Sequence, residues 1–164
     1  MLEVGTGNGL PALTAARAGA RVVATDLNPE ALRRLRQRAK NEALDLSVVR
    51  TDLARGLLRF DRILANPPYL PTEPGERDPD RWHNLALDGG PDGCRVMARL
   101  VASLDQHLAP NGEAFVVVSS LQHPLSLSRI QEEWTRRGGR VEVVDRRELE
   151  GERLELWRFG TGAP

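Results

Sequence analysis

The chain has 164 residues, 40% of them hydrophobic and 28% charged, and 23 acidic residues balance 23 basic ones. These values are those of an ordinary soluble protein with a single domain over residues 1–164, and zero net charge gives no sign of a large acidic partner. The lone Cys94 excludes an internal disulfide and a Cys-x-x-Cys motif, and no apolar run reaches the roughly 18 residues of a membrane span. We therefore expect a cytoplasmic protein with no membrane partner.

The first half of the sequence alternates short strands with amphipathic helices. Strands are predicted at "MLEV" and "RVVATD", with a helix at "LPALTAARAG" between them. A second helix begins with Asn28 as its N-cap and Pro29 at its first position, and its apolar stripe comprises Leu32, Leu35 and Ala39. Two more strands follow at "LSVVRTD" and "DRILAN". This order is typical of crossover units in a parallel sheet.

The second half of the sequence ends in a different pattern. Residues 70–93 have the composition of a loop and contain Trp82 and His83, which either shape a ligand pocket or anchor the loop. A helix from about 92 to 108, the strand "NGEAFVVVSS" and a shorter helix near 125 to 137 follow. The closing "GRVEVVDRR" and "RLELWRFG" are close enough in sequence to form an antiparallel hairpin. The sequence thus predicts an α/β fold with a doubly wound, mostly parallel sheet that binds ligands at the carboxyl ends of its strands.

Three glycines separate the first strand from the first helix. Gly5, Gly7 and Gly9 lie where missing side chains let the backbone approach a ligand at a helix N-terminus. The spacing is G-x-G-x-G, and Leu10 stands where a dinucleotide fingerprint requires a third glycine. This argues against NAD or FAD and favours another nucleoside.

Acidic residues close the next two strands. Asp26 ends the second strand, where a carboxylate can accept hydrogen bonds from both ribose hydroxyls, and Leu27 can cover one face of an adenine. Asp52 ends the third strand and can accept from an adenine amino group. The alternative is that the glycines only make a tight turn and that the aspartates are helix caps or solvated strand ends.

The stretch "NPPY" after the fourth strand predicts an acceptor site. Each residue before a proline is pushed towards extended backbone, so Pro67 and Pro68 hold Asn66 and Pro67 extended. Prolines lack an N–H, which leaves carbonyl acceptors without competing donors. The Asn66 side-chain oxygen and the Pro67 carbonyl can each accept one hydrogen of a planar amine, while the Tyr69 ring stacks on it.

The nitrogen of an amide or a nucleobase amine is a poor nucleophile because its lone pair is delocalised. Alignment by two acceptors can supply about 7–11 kcal/mol of the barrier, so no general base is required. The electrophile should carry its own leaving group. The sulfonium methyl of S-adenosylmethionine meets this need in a site built for an adenosine.

The segments "EVGTGNG", "ATDLN", "RTDLARG" and "NPPYLPTEP" together resemble the class I S-adenosylmethionine-dependent methyltransferases that act on amino groups. The later "LALDGGPDG" is similar to the HemK-like release-factor glutamine methyltransferases, and the archaeal and eukaryotic branch fits best because it lacks a separate N-terminal helical domain. The resemblance covers nearly the whole chain. It implies a seven-stranded Rossmann-like methyltransferase sheet with a C-terminal antiparallel hairpin.

This resemblance implies transfer of a methyl group to the glutamine of a Gly-Gly-Gln motif in a translation release factor, leaving S-adenosyl-L-homocysteine. The implied catalytic residues are Asn66, Pro67 and Tyr69, and no metal takes part. The implied cofactor-binding residues are Glu3, Gly5, Gly7, Asp26, Leu27, Asp52, Leu53 and Asn66. Family members have a segment before the glycine strand that covers the cofactor, whereas Met1 lies shortly before Gly5. We expect that segment to be missing here and the chain alone to bind its cofactor poorly. The alternative is a cofactor pocket that is unusually open.

An exposed sheet edge predicts a partner. In the strand order of this class, the edge strand runs from around Ser47 and is followed by apolar residues to Phe60. Members of the archaeal and eukaryotic branch that this chain resembles pair with a small zinc-ribbon activator. We expect that activator to bind by adding a strand at this edge. The alternative is that Leu57 and Phe60 pack within the domain.

Two other functions remain open from the sequence. One is N-methylation of an adenine or another base amine in RNA or DNA, which shares the loop and the cofactor residues, but such enzymes usually add a basic domain to grip a flipped base. The arginines of the second helix are expected to form a solvated face. The other is a cofactor-binding subunit without turnover, against which the complete "NPPY" loop argues.

Overall fold

The computed structural model describes residues 1–161. Its strands are β1 (Leu2–Val4), β2 (Val22–Asp26), β3 (Leu46–Arg50), β4 (Phe60–Ala65), β5 (Leu108–Ser119), β6 (Arg140–Leu149) and β7 (Glu152–Gly160). Its helices are α1 (Leu10–Arg17), α2 (Pro29–Asn41), α3 (Arg81–Leu87), α4 (Arg95–His107) and α5 (Pro124–Arg136). A short 3-10 turn covers Pro74–Glu76.

One seven-stranded sheet runs in the order β3-β2-β1-β4-β5-β7-β6. The pairs from β3 to β5 are parallel, while β7 pairs antiparallel with both β5 and β6. This confirms the doubly wound sheet and the C-terminal hairpin. Strand order reverses between β1 and β4, because the chain first builds outward through β2 and β3 and then returns to the other side of β1. Such a switch point opens a crevice at the carboxyl ends of the strands.

Apolar side chains cover the two faces of the sheet in two clusters. On one face, α4 and α5 pack against β4, β5 and β7, and the Trp134 and Phe159 rings meet edge to face with centroids 6.2 Å apart. On the other face, Leu13 of α1 and Leu35 of α2 pack with Ala24 of β2. Successive residues of each strand point to opposite faces, so the short buried strands contribute to both clusters.

Local sequence signals explain where α2 and α3 begin. The Asn28 side chain accepts a hydrogen bond from the Glu30 N–H at 3.0 Å, with Pro29 next in the chain, as the sequence predicts. The segment predicted as a loop differs, because it contains α3, whose Asp80 cap accepts from the Trp82 N–H at 2.8 Å. This seven-residue helix is too short to display a helical repeat of apolar residues.

No helix within residues 1–161 combines the length and the apolar character that crossing a membrane requires. The same part of the chain holds no group of three or more His, Cys, Asp or Glu side chains placed to bind a metal ion.

The start of α1 approaches α2 very closely at Gly9. Gly9 has a φ of 72°, and a Cβ atom built there would lie 2.5 Å from Cδ1 of the buried Leu35. Glycine therefore meets two requirements at this position, the left-handed backbone and the close contact.

We predict that Gly9→Ala destabilises the fold more than Gly19→Ala. Gly19 also has positive φ, at 90°, but a Cβ there meets no atom within 4 Å. Gly19→Ala should therefore lower the free energy of unfolding by about 1–2 kcal/mol, the backbone term alone. Gly9→Ala should lose about 1–3 kcal/mol more, because the new methyl group overpacks the core. Urea unfolding of both variants measures the difference, and equal losses would contradict the close packing at Leu35.

Candidate functional site

A cavity of about 870 Å³ lies at the carboxyl ends of β1, β2 and β4. All the predicted site residues except Tyr69 line it, namely Glu3, Gly5, Gly7, Asp26, Leu27, Asp52, Leu53, Asn66 and Pro67. Part of its wall is apolar strand surface from Leu64, Phe115 and Val117. The cavity therefore joins a polar end at the glycine turn to an apolar sheet face, and its volume suits a ligand of nucleoside size or larger.

The glycine turn presents its backbone to this cavity. Gly5 and Gly7 have φ angles of 65° and 51°, and a Cβ atom at Gly5 would meet no atom within 4 Å. The turn is tied to β2, since the Thr6 N–H donates to the Thr25 carbonyl at 2.8 Å. A ligand can therefore approach this backbone closely, in a space that a side chain would fill.

Glu3 stabilises the glycine turn through hydrogen bonds. Its carboxylate is only 5% exposed and accepts hydrogen bonds from the Thr6 hydroxyl and, at 3.0 Å, from the Ala12 N–H in the first turn of α1. Burial raises the pKa of Glu3, these two hydrogen bonds oppose the rise, and the nearby Asp26 charge adds to it. Glu3 thus fixes the turn, and direct contact with a cofactor remains a prediction.

Asp26 joins the glycine turn to the start of α2. One of its carboxylate oxygens accepts from the Gly7 N–H at 2.9 Å, and the other accepts from the Asn28 N–H at 2.8 Å. Each oxygen keeps a second lone pair, so the carboxylate can still accept from ligand hydroxyls. The adjacent Leu27 is 37% exposed, which leaves an apolar surface beside the carboxylate.

Asp52 forms an ion pair with Arg99 that the sequence does not predict. Arg99 of α4 donates to its carboxylate at 2.5 Å, and both side chains are partly exposed at the cavity. The following Leu53 has a φ of 54°, and its carbonyl accepts from the Thr25 hydroxyl at 2.8 Å. The end of β3 is thus tied both to α4 and to β2. No short-range pattern in the sequence pairs Arg99 with Asp52, because 47 positions separate them.

Only part of the "NPPY" loop lines the cavity. Asn66 is exposed and lines the cavity where β4 ends, and Pro67 beside it is buried. Tyr69 is partly buried and is not among the residues that line the cavity. Burial and the neighbouring Glu152 carboxylate raise the pKa of the Tyr69 hydroxyl, and Glu152 in turn accepts from the Ser119 hydroxyl at 2.6 Å. Stacking of Tyr69 on an acceptor therefore remains a prediction.

Helix α3 forms one wall of the cavity. Its residues lie in the segment that the sequence predicts to be a loop. Trp82, Leu85 and Ala86 line the cavity, and the Arg81 guanidinium lies 4.1 Å from the centroid of the Trp82 ring. Of the two roles considered for Trp82, this placement favours pocket shaping. His83 instead pairs with Asp78 at 3.2 Å and anchors the segment.

Comparisons with known proteins agree with this geometry. A family model described as a methyltransferase domain matches residues 1–72. The release factor glutamine methyltransferase of Deinococcus radiodurans is 45% identical over 118 residues, which are 68% of this chain and 42% of that protein. Methyltransferase HEMK2 of Homo sapiens is 33% identical over 137 residues, which are 79% of this chain and 64% of that protein.

The fold is also found in solved structures. The structure of the E. cuniculi Mtq2–Trm112 complex, responsible for the methylation of the eRF1 translation termination factor, contains a chain that superposes with a TM-score of 0.73 at 24% identity. The match covers 99% of this chain and 84% of that one. Sheet order, glycine turn and strand-end carboxylates together define a class I methyltransferase domain.

Within that class, the chain belongs to the HemK-like methyltransferases, the family that the Asn66 to Tyr69 loop and the later Gly-rich stretch predict. The matched region spans 42% and 64% of the lengths of these two curated relatives.

We predict that Glu3→Gln changes how stability depends on pH. A raised folded-state pKa means that the folded protein binds a proton at Glu3 more readily than the unfolded chain does. The contribution of Glu3 to wild-type stability therefore falls as pH rises from the ordinary value of 4.5 through the raised pKa. Glutamine does not ionise, so the stability of Glu3→Gln relative to wild type should increase as pH rises through this window. Urea unfolding between about pH 3.5 and pH 8 measures this difference.

Glu30→Gln is the matched control for this prediction. Hydrogen bonds from Arg33 and Arg34 lower the pKa of the exposed Glu30 to about 2, so its contribution is present above 4.5 and is lost as pH falls towards that lower value. Relative to wild type, this variant should lose stability as pH rises. The same sign for both variants would contradict the assignment for Glu3.

Proposed function

We propose that this chain transfers a methyl group from S-adenosyl-L-methionine to the side-chain nitrogen of a glutamine, in the Gly-Gly-Gln motif of a translation release factor. The observation that carries the proposal is the exposed Asn66 beside Pro67, on the cavity that also holds the glycine turn and Asp26. The name of the Deinococcus relative supports a release factor as substrate. The cytoplasm, where translation termination takes place, is the compartment we propose.

The residues present fit the cofactor. The space beside Gly5 that a side chain would occupy is open to the cavity, and the Asp26 oxygens keep lone pairs for the ribose hydroxyls. The exposed Leu27 offers an apolar surface to an adenine face, and Asp52 and Leu53 lie at the adenine end. When bound, the cofactor supplies a methyl group already activated by a sulfonium leaving group.

The "NPPY" loop holds the acceptor. The Asn66 side-chain oxygen and the Pro67 carbonyl accept the two N–H groups of the glutamine amide, and this fixes the nitrogen without a competing main-chain donor. Positioning in this way replaces basicity, because oriented reactants lower the barrier by about 7–11 kcal/mol. The methylated nitrogen then loses one N–H proton to solvent, which leaves a neutral N-methyl amide and the thioether of S-adenosyl-L-homocysteine. Trp82 and Leu85 of α3 provide apolar surface beside this acceptor and limit access of water.

The first test is methyl transfer from labelled S-adenosylmethionine to a purified release factor. We expect label on the release factor and none when Gly-Gly-Gln is changed to Gly-Gly-Ala. Asn66→Ala should lower kcat about 100-fold, because the acceptor amide loses its alignment, and cofactor affinity should fall much less, since Gly5, Gly7 and Asp26 still line the cavity. Asn41→Ala removes an asparagine that does not line the cavity, and it should leave both values unchanged.

Bulk RNA and DNA belong in the same assay. Label on nucleic acid alone would overturn the glutamine proposal and support methylation of a base amine. Cofactor binding with no label on any acceptor, and no effect of Asn66→Ala, would instead indicate a binding subunit.

We further propose that a small zinc-ribbon activator adds a strand beside β3. β3 is an edge of the sheet, so its backbone groups on one side have no neighbouring strand within residues 1–161. Leu57 and Phe60 pack against the core, whereas Leu58 between them is 84% exposed. Leu58 is therefore an exposed apolar side chain in the segment that leads from β3 to β4, and the Trm112 subunit named in the related complex supports a protein partner.

The proposed edge is tested by titrating the chain with a Trm112-type zinc-ribbon protein. Amide hydrogen exchange of Leu46–Arg50 should slow on binding, and Leu58→Asp should weaken the affinity at least about tenfold by placing a charge in the contact. Leu125→Asp is the control, since Leu125 is also exposed, at 63%, but lies on α5. Unchanged exchange of β3, or equal losses for the two variants, would contradict docking at this edge.

A further inference from the structure

The segment that follows α3 lies directly against the exit of the "NPPY" loop. Leu70 forms a parallel bridge with Asp88, in which the Leu70 N–H donates to the Leu87 carbonyl at 3.0 Å and the Gly89 N–H donates to the Leu70 carbonyl at 2.9 Å. The Thr72 N–H adds a third bond, to the Gly90 carbonyl, at 2.9 Å. The backbone just after Tyr69 is therefore held by main-chain hydrogen bonds to a second segment.

Glycines bring the two segments into direct contact. A Cβ atom at Gly93 would lie 2.4 Å from the Tyr69 carbonyl oxygen, and one at Gly89 would lie 2.6 Å from the Gly93 carbonyl oxygen. Gln122 closes this arrangement from the end of β5, since its side-chain amide donates to the Gly93 carbonyl at 2.9 Å. The position of residues 88–93 therefore determines where the Tyr69 carbonyl lies.

Asp88 is the charged centre of this segment. Its side chain is 6% exposed, and one carboxylate oxygen accepts from the Gly90 N–H at 2.8 Å and from Arg95 of α4 at 3.0 Å. The other oxygen accepts from Arg77, in the segment between Thr72 and α3, at 3.0 Å. Burial alone would raise the pKa of Asp88, but the Gly90 and Arg95 hydrogen bonds together with the two arginine charges lower it. The carboxylate is therefore ionised at neutral pH.

We infer that Asp88 is a positioning residue for methyl transfer. Its ion pairs with Arg77 and Arg95 fix the segment that the acceptor loop contacts. This rests on the proposed function of Asn66 and Pro67. Three parts of the chain meet at this carboxylate, namely the segment after α3 through the Gly90 N–H, the segment before α3 through Arg77, and α4 through Arg95. Arg99, one helical turn beyond Arg95, pairs with Asp52, so the same helix contacts both ends of the site.

Asp88→Asn tests the inference, because the amide oxygen can still accept from the Gly90 N–H while the charge that holds Arg77 and Arg95 is lost. We expect kcat for the release factor to fall about 100-fold, the effect of misplacing an acceptor by about 1 Å. Affinity for S-adenosylmethionine should stay within about threefold, since Asp88 does not line the cavity. Amide exchange in peptides covering residues 69–73 should become faster.

Asp92→Asn is the matched control. Asp92 belongs to the same segment and accepts from the Cys94 N–H at 3.0 Å, but it pairs with neither arginine. It should leave kcat and the exchange of residues 69–73 unchanged. Unchanged exchange in Asp88→Asn would overturn the inference, and so would faster exchange with normal kcat. Parallel losses of kcat, cofactor affinity and Tm would also overturn it, because they would indicate general destabilisation.

The exchange measurement separates this inference from the proposed function. If the wild-type chain methylates no release factor, the proposed function fails. Exchange of residues 69–73 in Asp88→Asn and Asp92→Asn then still decides whether Asp88 anchors the loop.

Discussion

The position of β1 between β2 and β4 is the constraint on which the site depends. Parallel pairing places Leu2 opposite both Val23 and Ile63, so the three strands end at the same level. Gly5 and Asn66 come directly after β1 and β4, Asp26 is the last residue of β2, and all three line the cavity. A slip of one residue in either pairing would turn one strand's side chains to the opposite face and separate the carboxylate or the amide from the turn.

The polar groups of the site divide between building it and leaving atoms for ligands. Glu3 and Asp88 are almost fully buried, and their oxygens accept from backbone N–H groups and from neighbouring side chains. Asp26 is intermediate, since it joins two loops and keeps lone pairs at the cavity. Asn66 is exposed and lines the cavity. In the proposed function, these buried carboxylates make the surroundings of the exposed Asn66 amide rigid.

Much of this architecture could be predicted from the sequence, because its signals are local. Asn28 and Pro29 mark the start of α2, and alternating strands and helices give the sheet. Long-range contacts could not be predicted: nothing near Asp52 indicates that Arg99 will pair with it. Tyr69 does not line the cavity, although the residues before it in the loop do, and its place beside the acceptor stays a prediction. Helix α3 was missed because its signal is an Asp80 cap without an apolar repeat.

The two edges of the sheet differ in how open they are to other strands. The outer strand β6 has exposed charged residues from Asp145 to Glu148, and a bulge between Val143 and Asp145 interrupts its pairing. Charges and bulges of this kind discourage edge-to-edge aggregation. β3 at the opposite edge carries Val48 and Val49 at its centre and ends in a single arginine. A strand added beside β3, as proposed, would therefore also shield the edge that has fewer charges and no bulge.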